Sequence, residues 1–176
     1  MTLTTTAALV GAAYEAGRGV AAFNAINLET VEAIAAGAES ANRPVIVQIS
    51  ENAVRYHGGL APLAQAAIAV AVGSSHKMTT RDAALDEALI ARLRRTVPVP
   101  LALHGSSGVS DEGLTSAIAA GMTKINIATQ LDKAFTAAVR EALGADPARV
   151  DQRRYLGAGR DAMATEAARL LTPITT

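Results

Sequence analysis

An α/β fold built on a parallel sheet is what this sequence predicts, on three observations. Short apolar runs rich in Val, Ile and Ala recur along the chain at near-regular spacing, helical patterns fill the gaps between them, and aromatic residues make up only 3% of its 176 residues. Continuous apolar strands alternating with amphipathic helices make right-handed βαβ units and a parallel sheet. A chain this rich in Ala and this poor in rings packs helix to sheet through close contact of small side chains.

The expected strands are Val20–Asn27, Val45–Ser50, Ile68–Ser75, Val99–Gly105 and Lys124–Thr129. The expected helices are Leu28–Ser40, Leu60–Ala69, Asp82–Thr96, Ser110–Ala120 and Gln130–Leu143, several of them opened by an Asp, Ser or Thr cap. Four helix-to-strand junctions carry stop signals: Gly17 with Gly19, Asn42 to Pro44, Pro98 with Pro100, and Gly121. One carries none. From Gln65 to Ser75 the chain reads QAAIAVAVGSS, helical composition running straight into strand composition where a βα unit needs a loop. Five βα units also fall short of a closed eight-stranded barrel, which takes roughly 250 residues. The sheet is open, or a portion has been lost.

Composition narrows the function. With 50% apolar and 18% charged residues the chain reads as globular, and sixteen basic residues against sixteen acidic ones leave no general field to draw nucleic acid or an anionic membrane. Cysteine is absent, so any metal would be held by His, Asp or Glu. Met1 to Val10 lacks the basic and apolar segments of a signal peptide, and no apolar stretch suits a bilayer span, which predicts a cytoplasmic protein.

Two histidines terminate apolar strands, His76 in AVAVGSSHKM and His104 in PLALHGSSG. Strands lie about 4.8 Å apart, so imidazoles at the rims of neighbouring strands can reach one metal ion; hydrogen bonding to backbone is the competing reading of each. Gly105, Ser106, Ser107 and Gly108 follow His104, and Ser110 with Asp111 then opens a helix. Small residues, hydroxyls and a helix N-terminus together suit a phosphate, although a plain tight loop has the same composition. Asn126 to Thr129 form a second such turn. Asn24, Asn27, Gln48 and Ser50 are polar groups at strand ends, suited to a polyol or to the protein's own backbone. Lys77 is a minor candidate for Schiff-base chemistry, and His57, in a Gly-rich loop, reads as solvent-exposed.

Six motifs in order, AFNAINLETVEAIAAGAE, PVIVQIS, VGSSH, PLALHGSSGV, GMTKINIAT and DQRRYLGAGRDAM, resemble those of the class II, zinc-dependent fructose- and tagatose-bisphosphate aldolases over nearly the whole chain. The resemblance implies a TIM (β/α)₈-barrel lyase with strands 1, 2, 6, 7 and 8 present. The implied reaction is reversible cleavage of a ketose bisphosphate to dihydroxyacetone phosphate and glyceraldehyde 3-phosphate, with Zn²⁺ polarising the ketone. It implies His76 and His104 as zinc ligands. Gly105, Ser107, Asn126 and Thr129 match positions that hold the substrate phosphate and diol, Asn24, Gln48 and Ser50 match further substrate-side positions, and Arg153 matches an arginine for the distal phosphate. NIATQL leans towards the tagatose branch. Family members commonly form dimers or tetramers, so a homo-oligomer is expected.

The departures from the family pattern are large. Its strand motif of type H-x-D-H, which supplies the proton-transferring Asp and another zinc His, is absent, and so is a later carboxylate-rich segment. No catalytic acid or base is therefore assigned, and the activity of the shortened chain is in doubt; a non-catalytic phosphosugar-binding or subunit-contact remnant of the barrel is the alternative. The gap falls near 69–72, at the junction already lacking a loop, and leaves one partial barrel domain over 1–176.

Overall fold

Asn42 and Gly121 end their helices in left-handed backbone, at φ 51° and 124°, where the sequence carries its stop signals. The computed structural model describes residues 4–59, 85–96 and 99–175. Four strands form one parallel sheet: β1 (Val20–Ala25), β2 (Val45–Ile49), β3 (Leu101–Leu103) and β4 (Met122–Ile127). The helices are α1 (Thr6–Glu15), α2 (Leu28–Ala41), α3 (Glu51–Tyr56), α4 (Glu87–Thr96), α5 (Asp111–Ala120), α6 (Thr129–Ala145) and α7 (Gln152–Ile174), with one 3₁₀ turn at Ser106–Gly108. The expected helix Leu60–Ala69 and strand Ile68–Ser75, the junction near 69–72, and with them His76 and Lys77, lie outside the described residues.

The sheet order β2-β1-β4-β3 identifies the architecture. Read across the sheet, chain order steps backwards one strand at a time, and the last strand, β4, pairs with the first through Val20↔Lys124 to Phe23↔Ile127. Among the described residues that is part of a singly wound ring, with β4 beside β1 as the closing joint of a (β/α)₈ barrel, rather than a doubly wound sheet. The chain is an α/β protein of the TIM-barrel family.

Strand alternation separates two faces. Ala21, Phe23, Leu103, Ile125 and Ile127 pack into the main core with Ala33, Ile34 and Ala38 of α2 and Met163, Ala167, Leu170 and Leu171 of α7. Val20, Ala22 and Ile46 point the other way and are covered at the strands' N-terminal end by Ala13, Leu9 and Val10 of α1. On that second face Asn24 and Gln48 lie beyond Ala22 and Ile46 towards the C-terminal ends of β1 and β2, whereas Lys124 and Asn126 of β4 stand level with Val20 and Ala22.

Three helices were not expected. In α1 only Ala13 is buried, so no apolar stripe betrays it. The six-residue α3 is set by the Ser50 cap. In α7 the buried positions Gly159, Met163, Ala167, Leu170, Leu171 and Ile174 do repeat at helical spacing, but Gly and Ala among them carry little hydrophobic signal. Those small residues let α7 approach closely: a Cβ on Gly37 of α2 would stand 2.8 Å from both the Ala164 carbonyl oxygen and the Ala167 methyl. Gly37→Val is therefore expected to lower the urea midpoint by an amount equivalent to about 1–3 kcal/mol, the usual cost of overpacking. An unchanged midpoint would mean that α2 and α7 are not in contact there.

Candidate functional site

The polar half of the second face is one hydrogen-bonded chain across all four strands. Gln48 Nε2 donates to Asn24 Oδ1 at 2.5 Å, and Lys124 Nζ donates to Gln48 Oε1 at 2.9 Å and to Asn126 Oδ1 at 2.6 Å. Asn126 Nδ2 lies 3.1 Å from Nδ1 and 3.3 Å from Nε2 of His104. Four residues singled out in the sequence, Asn24, Gln48, Asn126 and His104, are thus joined, and the joint is Lys124, which the sequence reading passed over. Its parity with Asn126 in the strand MTKINI was the available signal. Burial holds the Lys124 amine below its ordinary range.

Beside this chain two turns are tied together. Gly105, at φ 73°, takes the left-handed conformation that turns the chain out of β3 into Ser106–Gly108. Ser106 Oγ then donates to the Asn126 carbonyl at 2.6 Å, and Gln130 Nε2 donates to the Ser107 carbonyl at 2.8 Å. Gln130 is a second residue that the sequence reading missed; it sits in the first turn of α6, opened by Thr129.

Two features mark this corner. Ser107 Oγ is buried and has no hydrogen-bond partner among the described residues. The N-termini of α1, α2, α3, α5 and α7 are capped by Thr5, Asn27, Ser50, Ser110 and Asp151, whereas Ala128 before α6 offers no side-chain cap. An oxygen-rich anion satisfies both a stray hydroxyl and an uncapped helix N-terminus.

Other expected site residues stand apart. Ser50 Oγ accepts from Ala53 N at 3.2 Å as the cap of α3, and Asn27 caps α2. His57 is half-buried rather than exposed: its Nε2 meets the Ile26 carbonyl at 2.5 Å, which fixes the β1-to-α2 loop. Arg153 takes no part in the network; its guanidinium is paired with Asp151 at 2.9 Å through both Nε and an Nη atom. Among the described residues no group of three or more His, Cys, Asp or Glu is placed to hold a metal ion, and no helix is long and apolar enough to cross a membrane.

Against known proteins, the model of the family "Fructose-bisphosphate aldolase class-II" matches the chain in two stretches, 4–68 and 63–175. Among solved structures, the chain is similar to the YdjI aldolase of Escherichia coli K12, at 19% identity with a TM-score of 0.77, over 98% of this chain and 97% of that one. It is also similar to a fructose-bisphosphate aldolase of Campylobacter jejuni, at 12% identity with a TM-score of 0.72, over 95% of this chain and 93% of that one. At these identities the structural likeness shows the fold.

Proposed function

Because the chain belongs to the class-II fructose-bisphosphate aldolase family, we propose that its site takes the dihydroxyacetone-phosphate half of a ketose 1,6-bisphosphate, fructose or tagatose. The observation that carries this reading is the corner between the last two strands, where the buried Ser107 hydroxyl has no partner among the described residues, beside a helix start, α6, to which Ala128 offers no side-chain cap. Phosphate binds in the loops after the last two strands of many such barrels. Gly105, Ser107 and Thr129 are the phosphate side of the site. Asn126, Asn24 and Gln48 are its hydroxyl side.

The family's reaction is the reversible aldol cleavage of the bisphosphate to dihydroxyacetone phosphate and glyceraldehyde 3-phosphate, with zinc as the electrophile. The described donors do not make up a zinc site: His104 lies against the Asn126 amide, His57 is engaged with a carbonyl, and His76 is outside the described residues. The sequence has only three His and no H-x-D-H motif, which favours a second reading, a phosphosugar-binding remnant without turnover. General acid–base help is worth roughly 10²–10⁴-fold, so a chain without the proton-transferring Asp starts at that disadvantage. The meeting of the two family matches at 63–68, beside the junction that lacks a loop, supports an internal loss of barrel units there.

One experiment tests the proposal and separates the readings. Purified protein is melted with and without dihydroxyacetone phosphate, and triose-phosphate release from both bisphosphates is followed with added zinc and again with chelator. A rise in melting temperature is expected from binding to the folded state. Zinc-dependent, chelator-sensitive release would assign the enzyme reading; stabilisation without release would assign the remnant; no stabilisation and no release would sink the proposal.

A further inference from the structure

We propose that Lys124 is a positioning residue that sets the direction of every hydrogen bond in the site, so that the site offers donors, at Asn24 and Asn126, to a ligand made of acceptor oxygens. The inference rests on the reading above and deepens it by naming the residue that orients the ligand-binding amides.

Lysine has three donors and no acceptor, so any amide that contacts Nζ must turn its oxygen inward. Both do: Oε1 of Gln48 at 2.9 Å and Oδ1 of Asn126 at 2.6 Å. An amide whose oxygen is fixed has its NH₂ fixed in the opposite sense. Gln48 then donates onward to Asn24 Oδ1 at 2.5 Å, and the Asn24 amide nitrogen becomes the outward end of that arm. Asn126 likewise turns its amide nitrogen away from Lys124, towards the His104 ring, 3.1 Å from Nδ1 and 3.3 Å from Nε2.

Two arms thus leave Lys124, and in both every proton points away from it. Without an obligate donor at the centre, each amide could flip and each arm could run either way at similar energy. A lysine whose sole task was to fill space would have no need of two amide oxygens from different strands. Lys124 instead joins β4 to β2 past β1. Carbonyl, hydroxyl and phosphate oxygens all accept, so a triose phosphate meets the outward amides in the sense that suits it.

The test compares the native chain with Lys124→Met, which keeps the stem and removes the donors, with Lys124→Gln, which adds an acceptor, and with Lys124→Arg, which is again donor-only. Side-chain ¹⁵N NMR of the ligand-free proteins reads the Asn and Gln amides. Calorimetry with dihydroxyacetone phosphate reads affinity. The native protein and Lys124→Arg are expected to show one orientation of the Gln48 and Asn126 amides, and Lys124→Met and Lys124→Gln a mixture, with roughly 10- to 100-fold weaker binding in the latter two. Should Lys124→Met fail to fold, Lys124→Gln carries the same prediction. Unchanged Asn and Gln amide shifts in folded Lys124→Met or Lys124→Gln overturn the inference even if the native protein binds the ligand well. Absence of binding by the native protein, with the amide change still present, would instead overturn the proposed function and leave the role of Lys124 standing.

Discussion

Phe23→Ala is expected to cost about 3–5 kcal/mol of unfolding free energy, the range for emptying a buried ring site. Phe23 is fully buried in the middle of β1, on the face covered by α2 and α7. What makes the loss hard to recover is the company it keeps: Ala21, Ala33, Ala38 and Ala167 share its cluster, and alanine has no rotamer with which to refill a void. The chain has only two Phe, and the other, Phe135, is half-buried at the edge of the same cluster. Against the 5–15 kcal/mol total that is typical of domains, the change would unfold a large share of the population at physiological temperature. Urea denaturation followed by circular dichroism gives the number. A cost below about 1 kcal/mol would mean that the ring is exposed in solution and that the joint between β1, α2 and α7 does not form as described.

The second large effect has opposite signs in the free and the bound protein. Ser107→Ala removes a buried hydroxyl that has no partner among the described residues. Leaving such a group unsatisfied costs about 1–3 kcal/mol by mutational estimates, so the ligand-free variant is expected to be more stable than the native chain by about 1 kcal/mol. The same change removes a donor to the ligand phosphate, and a hydrogen bond to a charged group is worth about 1.5–3 kcal/mol, or roughly 10- to 100-fold in affinity. Melting curves with and without dihydroxyacetone phosphate read both terms on one sample pair. A variant that is less stable without ligand and equally responsive to it would show that the hydroxyl is paired in solution and is not part of the phosphate site. A gain in stability coupled to a loss of response is the pattern of a group held unsatisfied for its ligand.

How far the sequence went can be followed residue by residue. It determined by itself that β1, β2, β3 and β4 are strands of a parallel sheet: the first three are short, mainly apolar runs, β4 alternates polar Lys124 and Asn126 with Ile125 and Ile127, and helical patterns lie between them. It also marked His104, Gly105, Ser107, Asn126 and Thr129 as one neighbourhood, since all five stand where a strand gives way to a helix and parallel strands share one end. The six ordered motifs pointed to the family that the chain belongs to.

Other features were settled only by tertiary structure. Sheet order is not written in any one strand; that β4 lies beside β1 follows from pairing between residues about a hundred positions apart. Lys124 reads in sequence as an ordinary strand lysine, and becomes the hub of the site only when Gln48, from 76 residues away, is brought against it. Ser50 and Asn27 looked alike to Gln48 and Asn24 as polar strand ends, yet one pair caps helices while the other joins the network. The physical reason is the same in each case. A residue type fixes how many hydrogen bonds a side chain can make and in which sense, but only the packing of distant strands decides which partner stands within 3 Å of it.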